Sequence, residues 1–451
     1  MAAPDPHCPT EAAPVSSDEA DRLFAPLRGL HRVGIAVSGG VDSLALMVLL
    51  AEWRTHRPDA PDLIVFTVDH GFRAESDAET RHVAQLAARL GLTCRRLRRL
   101  GPTPAANLQA AARAARQALL CDALRAEGGA ALVLAHHLDD QAETFLLRLA
   151  RGSGVQGLGA MREADRWGDT PVLRPLLGVP KARLLATLRA RGIGWCEDPS
   201  NADRAHARVR IRALMPALAE EGLTARRLSE TAGRLARAGQ ALDDRVARLL
   251  RDHARMHPAG PVRVSVAALA EVPEEILLRT LACLLQRVGG AAYPPRMERL
   301  ERLVETLSGG TRVQATLAGA VVRRADGVLT LWREAGRAGI AALTVTGPGV
   351  WIWDGRFVLR ADAPVALDLR ARGDPQASAP AVPEAARAQG WPGEAFATAP
   401  CLQSGRGGDA SYCPGLGGDG PPNGVALTLL ERFQPVVAPP NSLARRGNNE
   451  I

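Results

Sequence analysis

The chain has almost no lysine. Of its 56 basic residues only Lys181 is a lysine. Arginine serves wherever a positive charge is enough, so a site needing a compact ammonium is one account of the exception. No apolar run is long enough to span a bilayer, so no membrane partner is expected. The first residues, Met1-Ala-Ala-Pro-Asp-Pro-His-Cys, lack a basic stretch followed by an apolar one. They read as a disordered lead-in, not a signal peptide, and a cytoplasmic protein is expected. Cys8, Cys94, Cys121, Cys196, Cys283, Cys401 and Cys413 contain no Cys-x-x-Cys pair. That spacing gives neither a zinc site nor a disulfide framework, and all seven are expected to be bystanders.

What is present is a chain of 451 residues, 46% of them hydrophobic, enough for two or three domains. Net charge is +8, a weak pointer towards a polyanionic partner. From residue 30 to about 195, apolar strands alternate with helical patterns, as a parallel α/β sheet requires. Strands are expected at Arg32–Val37, Leu63–Val68, Cys94–Leu97 and Ala130–Ala135, with helices at Ser43–Trp53, Ala78–Leu90 and Asn107–Ala126. The ends of the first, second and fourth strands should then face one crevice.

Five segments follow from these shifts of pattern. Residues 1–27 are the lead-in, 28–215 the α/β domain and 216–258 a basic helical linker. Residues 259–335 read as a smaller α+β domain, and 336–451 as a β-rich piece with a low-complexity tail. Between Arg204 and Arg255 stand twelve arginines against six acids. A solvated helix surface and an RNA-contacting face account for them equally well. Residues 372–424 are rich in Gly, Ala, Pro and Ser, and no packed structure is expected for much of them.

The most informative stretch is Ile35-Ala36-Val37-Ser38-Gly39-Gly40-Val41-Asp42-Ser43. An apolar strand enters a Ser-Gly-Gly turn, and a helix opens on Asp and Ser. Glycines let successive N–H groups turn onto an anion, and the helix N-terminus adds partial positive charge. No lysine follows the glycines, so this is not the phosphate loop of common nucleotidases. Asp42 is the expected Mg²⁺ helper, because hard cations take carboxylate oxygens.

A second cluster is Ala135-His136-His137-Leu138-Asp139-Asp140-Gln141-Ala142-Glu143-Thr144. A strand ends at the histidines, and a helix begins near two aspartates, which suit its positive end. Helix capping explains one aspartate but not two beside a pair of histidines.

The Ser-Gly-Gly-x-Asp-Ser loop resembles the signature of the N-type ATP pyrophosphatases, the PP-loop enzymes. Val68-Asp69-His70-Gly71-Phe72-Arg73, the His-x-x-Asp-Asp-Gln-x-Glu-Thr run, Arg174-Pro175-Leu176-Leu177, and Glu197-Asp198-Pro199-Ser200-Asn201 before Arg208-Val209-Arg210-Ile211-Arg212 follow in order. Over residues 30 to 212 the set resembles the bacterial tRNA(Ile)-lysidine synthase family. Three positions depart from it: His206 where an aromatic is usual, Val209 where Asn is common, and Gln117 where Tyr often follows Arg116.

The resemblance implies a PP-loop ATP pyrophosphatase domain, a helical linker and a smaller C-terminal α+β domain. It implies a ligase that uses ATP and Mg²⁺ to join free L-lysine to the wobble cytidine of the isoleucine tRNA with a CAU anticodon. Homodimerisation is left open. By the same resemblance Ser38, Gly39, Gly40, Val41, Asp42 and Ser43 hold the nucleotide phosphates, and Asp42 and Asp140 hold the metal. His136 donates to the α-phosphate or the base, with its charge set by the neighbouring acids. Arg208 and Arg212 neutralise the adenylate or grip RNA. Asp139 orients the lysine amine, and Arg113, Arg116 and Lys181 stand on the substrate side.

Three other readings share the loop or the basic segment. A sulfur-installing tRNA enzyme would typically carry paired or catalytic cysteines. A small-metabolite amide synthetase would not need the basic helical segment. A non-catalytic RNA-binding relative would have no use for Asp42, His136, Asp139 and Asp140 together.

Overall fold

The computed structural model describes residues 12–69, 75–98, 108–196, 205–291, 293–404, 411–418, 420–421 and 424–430, with backbone only at 75–76, 108–112 and 404. His70-Gly71-Phe72-Arg73, Glu197 to Asn201 and the tail from Asn441 therefore lie outside the described residues. The chain forms two compact units that meet in sequence at Gly239 and Gln240.

The first unit is built on strands β1 (Arg32–Ala36), β2 (Asp62–Asp69), β3 (Thr93–Arg98) and β4 (Ala131–Val133). Helices α2 (Val41–Thr55), α3 (Glu75–Arg89) and α4 (Leu108–Ala126) connect them, after a first helix α1 (Ser17–Phe24). These are the expected strands and helices, to within a few residues at each end. Beyond β4 come α5 (Leu138–Leu149), α6 (Val155–Leu158), β5 (Ala164–Trp167), β6 (Thr170–Leu173), α7 (Lys181–Arg189), α8 (Ala207–Glu220) and α9 (Ala225–His253).

The sheet order is β3-β2-β1-β4-β6-β5. All pairings are parallel except β5 with β6, a hairpin closed by Gly168 and Asp169 that the strand pattern did not reveal. From β1 the chain first builds outward through β2 and β3, then returns to place β4 on the other side of β1. That reversal opens a crevice at the carboxyl ends of β1 and β4. Helix α2 runs behind it with Leu44 to Leu50 at most 2% exposed. Its position is fixed by burial on every face of its middle, which is why Leu44 to Ala51 is an unbroken apolar run.

Within the expected lead-in the structure differs. Ser16 caps α1 by accepting from the Glu19 N–H at 3.3 Å, and Phe24 is fully buried with its ring edge-on to Trp53 at 5.6 Å. Arg183 grips Glu19 with both terminal nitrogens, at 2.7 and 2.6 Å. An eight-residue helix is marginal alone; burial of Ala20, Phe24 and the following Leu27 supplies what local propensity lacks. Residues 1–11 lie outside the described residues.

The second unit opens with a sheet ordered β7-β8-β11-β10-β9: Ala254–Met256, Val262–Ser265, Val328–Arg333, Ala320–Ala325 and Val313–Leu317. Helices α10 (Val266–Ala270), α11 (Glu274–Gly289) and α12 (Met297–Ser308) cover it. Leu281, Leu285, Leu303 and Leu331 lie in one core with Val246 and Leu249 of α9.

Two further antiparallel sheets follow. One joins β12 (Leu343–Thr346), β15 (Ala366–Ala371), β16 (Pro400–Ser404), β17 (Ser411–Cys413) and β18 (Gly417–Gly418). The other joins β13 (Gly349–Trp353), β14 (Phe357–Ala361) and β19 (Val425–Leu429).

Much of 372–424 is therefore packed, contrary to its composition. Trp391, Phe396, Ala399, Cys401, Cys413 and Leu416 form a core of their own. Small residues carry it, so few large apolar side chains betray it in sequence. Cys401 and Cys413 are joined in a disulfide, where no pairing was expected. Antiparallel pairing of β16 with β17 brings together two cysteines that are 12 positions apart in sequence.

Candidate active site

The loop after β1 folds on itself through two serines. The Ser38 N–H donates to Ser43 Oγ at 3.1 Å, the two hydroxyls lie 3.3 Å apart, and Ser43 Oγ donates to the Gly40 carbonyl at 3.0 Å. Gly39 adopts φ +88°, the left-handed region that a side chain disfavours, so glycine is required at this turn. Gly40 caps α2 without any side-chain hydrogen bond. The cap therefore offers the first-turn N–H groups no side-chain acceptor, and Gly40, Asp42 and Ser43 line the cavity described below, an arrangement that can cradle an anion.

The second motif reaches the same place from β4. His137 is 2% exposed and sits among three carboxylates. Its Nε2 is 3.4 Å from Asp42 Oδ2 and 3.5 Å from Asp140 Oδ2, and its Nδ1 is 3.4 Å from Asp139 Oδ2. Its backbone N–H also donates to Asp140 at 3.2 Å. Burial alone would lower the imidazole pKa; Asp139, Asp42 and Asp140 outweigh it and push the pKa up to about 10. His137 is an imidazolium at neutral pH. Burial likewise tends to raise the Asp42 carboxyl, but His137, Lys181 and Arg212 hold it below the usual carboxylate value. Asp139 is lowered in the same way, against its burial, by His137 and by the Lys181 N–H.

His136, expected to take its charge from the acids, behaves otherwise. Burial, with Arg174, Arg113 and Arg208, overrides Asp140 and lowers its pKa to about 4. It is therefore neutral, and its Nδ1 is buried without a hydrogen-bond partner. The chain is extended at His137 (φ −126°, ψ −178°), and neighbours in extended backbone face opposite ways. One histidine of the doublet goes to the aspartates and the other to the cavity. The doublet was the signal for His137, but sequence could not say which ring went where.

A cavity of about 210 Å³ lies over the loop. Ser38, Gly40, Asp42, Ser43 and His136 form one side, and Arg113, Arg116 and Gln117 of α4 another. Leu120, Leu134 and Trp167 supply apolar wall. Burial and Arg113 lower the Arg116 pKa. Among the described residues neither arginine has an acidic partner, which suits an anionic ligand. Trp167 comes from the unforeseen β5–β6 hairpin and was missed for that reason.

Arg208 and Arg212 of α8 converge on Glu143, which is 2% exposed on its side chain. Arg212 Nε donates to Glu143 at 2.6 Å, and Arg208 donates to Thr144 Oγ1 at 3.0 Å while its Nε lies 3.3 Å from Glu143. Both side chains remain two-fifths exposed, so a buried acid orients them without consuming them. Glu143 was in the motif but without a role. Lys181 opens α7; its N–H donates to Asp139 at 2.9 Å, and its Nζ is 3.9 Å from Asp42 Oδ2. One Asp139 oxygen, expected to face a substrate amine, is thus engaged within the protein.

No group of three or more metal-ligating side chains with cation-site geometry occurs among the described residues. Mg²⁺ does not require one, since it is usually held by one or two carboxylates together with phosphate oxygens and water. Asp42 Oδ1 is buried without a hydrogen-bond partner, an orphan acceptor beside the anion cradle, and fits that demand. Cys196 also flanks the loop, its N–H donating to the Gly39 carbonyl at 3.0 Å. Burial and Glu79 push its thiol up, so it is not a thiolate suited to sulfur transfer.

A family model for the PP-loop domain matches residues 13–218. A tRNA(Ile)-lysidine synthase of Bradyrhizobium sp. is 45% identical over 338 residues, covering 70% of this chain and 94% of its own length. One of Rhodopseudomonas palustris is 45% identical over 329 residues, covering 69% and 93%. The U34-tRNA thiolase of Methanococcus maripaludis overlaps 49% of this chain and 77% of its own at 17% identity and a TM-score of 0.43, too slight a likeness to argue from.

Proposed function

The chain belongs to the tRNA(Ile)-lysidine synthase family, and on that premise we propose that it ligates free L-lysine to C2 of the wobble cytidine of the CAU-anticodon isoleucine tRNA. It is an ATP-dependent, tRNA-modifying ligase with a PP-loop domain. The observation that carries the finer reading is the meeting of its two motifs: Asp42 of the loop and Asp140 of the second run flank one buried imidazolium beside the cradle.

In the proposed reaction the cytidine C2 oxygen attacks the ATP α-phosphate, releasing pyrophosphate and leaving an adenylated base. The lysine amine then attacks C2 and AMP departs. Lysidine pairs with A instead of G, so the codon read changes from AUG to AUA and the identity from Met to Ile. Ser38, Gly39, Gly40, Val41 and Ser43 hold the departing pyrophosphate through N–H and hydroxyl groups that stabilise its growing charge. Arg113 and Arg116 face the opposite side of the phosphates or the adenylate. Neutral His136 offers a hydrogen bond to the α-phosphate or base without adding charge. Arg208 and Arg212, aimed by Glu143, neutralise the adenylate or anticodon phosphates.

Mg²⁺ would be held by Asp42 and Asp140, and when bound it screens phosphate charge. His137 lies between those two carboxylates and, with Lys181 and Arg212, holds the Asp42 carboxyl below its usual value. A cytoplasmic enzyme fits this reading, and no helix among the described residues is long and apolar enough to cross a membrane.

The test is incorporation of labelled lysine into an isoleucine tRNA transcript with a CAU anticodon, given ATP and Mg²⁺. Initiator methionine tRNA and Asp42→Ala are the controls. Selective, Asp42-dependent labelling is expected. Folded protein that releases pyrophosphate from ATP only with another acceptor overturns the proposal.

A further inference from the structure

The catalytic reading leaves one strongly charged feature unused: the outer face of α9. Arg234, Arg237, Arg245, Arg248 and Arg251 are all exposed on this 29-residue helix. At about 100° per residue they fall within an arc of about 120°, and the row runs roughly 26 Å at 1.5 Å per residue. The opposite face is committed to protein, with Leu228 and Ala232 in one core and Val246 and Leu249 in another.

Other charged residues of the same helix are paired. Arg226 pairs with Glu230 at 3.0 Å, and Asp243 is taken by Arg279 at 3.0 Å. None of the five has an ion pair among the described residues. Asp244 and Asp252 share the arc, so the row keeps a net positive charge. Its only apolar member is Ala241. A protein partner would require an apolar centre, which this face does not offer. An anionic membrane would require the helix's apolar face, which is buried. A phosphate backbone asks only for spaced charge.

We propose that the α9 arginine row is a sequence-independent docking surface for the phosphate backbone of RNA. The inference rests on the tRNA substrate of the reading above but concerns binding, not chemistry. It predicts that the row supplies affinity and orientation to any tRNA, while base recognition lies elsewhere.

The experiment measures the affinity of the full chain for the CAU-anticodon isoleucine tRNA and for an unrelated tRNA across a range of salt. The wild type is compared with the fivefold variant Arg234→Gln, Arg237→Gln, Arg245→Gln, Arg248→Gln, Arg251→Gln, and with the same five changed to Lys. Each phosphate contact contributes about 0.7 to 0.9 to the slope of log affinity against log salt, so the Gln variant should be shallower by about 4 for both RNAs. The Lys variant should keep the slope. A change below about 2 in the Gln variant overturns the proposal, as does a row that binds anionic lipid vesicles instead of RNA. Should the fivefold variant not fold, Arg234→Gln with Arg237→Gln, and Arg248→Gln with Arg251→Gln, are read separately, each pair expected to lower the slope by about 1.5; a pair that lowers it by less than about 0.7 overturns the proposal. Lysine incorporation is not the readout, so a lost slope without lysidine formation removes the catalytic reading and leaves this one standing.

Discussion

His137 Nε2 lies 3.4 Å from Asp42 Oδ2, although the two residues are 95 positions apart and follow different strands. The contact ties the phosphate loop after β1 to the acidic helix after β4. It gives a half-buried carboxylate its counter-charge and leaves the other Asp42 oxygen buried without a hydrogen-bond partner. The first three predictions start from that arrangement.

Asp42→Ala should lower tRNA-dependent pyrophosphate release by at least about 100-fold, since in the proposed reaction it removes the carboxylate that stands where phosphate charge develops. Release assays at saturating ATP check this; retention of a tenth or more of the activity speaks against the site.

His137 should make stability fall in alkali. Its folded pKa of about 10 lies above the ordinary value of 6.5, so its contribution is complete below pH 6.5 and is lost as pH rises towards 10. His136 acts in the opposite sense. Lowered to about 4, it resists a proton that the unfolded chain accepts, so stability also falls as pH drops from 6.5 towards 4. Thermal unfolding in EDTA should show the alkaline loss in the wild type and a flatter alkaline limb in His137→Gln. His136→Gln should flatten the acid limb instead.

Lys181 offers an unusually clean chemical probe, because it is the only lysine in the chain. Its side chain is 44% exposed, and its Nζ lies 3.9 Å from Asp42 Oδ2. An amine acylating reagent should modify it, and ATP with Mg²⁺ should slow that modification by about fivefold or more through charge pairing with the phosphates. Mass spectrometry of the tryptic peptide gives the rate; equal rates with and without nucleotide remove Lys181 from the site.

Glu143→Gln should destabilise the protein by about 1–3 kcal/mol, because two guanidiniums lose a charged acceptor at a buried position. Denaturant unfolding measures the loss. A raised KM for tRNA, with ATP binding little changed, would follow if the pair grips RNA. A raised KM for ATP would place it at the adenylate.

The Cys401–Cys413 disulfide should withstand alkylation of the denatured, unreduced chain while the other five cysteines react. Replacing both residues by Ala should cost about 2–4 kcal/mol if the bond closes its short loop in the folded protein. Full labelling of all seven cysteines before reduction would show that the bond does not form.

What the sequence by itself determined was local and chemical. A Ser-Gly-Gly turn between an apolar strand and a helix is legible because glycine conformation and helix ends obey nearest-neighbour rules. The Asp-Asp pair at the start of α5 is legible for the same reason, and the order of motifs carried the family resemblance. Alternating strand and helix patterns located β1 to β4; β1, β2 and β4 are apolar along most of their length because they are buried, whereas β3 is the polar edge strand. Tertiary structure decided which histidine meets the aspartates. That choice depends on how the backbone leaves β4 and on carboxylates arriving from another loop. It also decided that Glu143 aims two arginines, that α1 packs where a disordered lead-in was expected, and that small residues near Trp391 and Phe396 form a core. Each depends on contacts between residues far apart in the chain, and such contacts leave no periodicity in sequence.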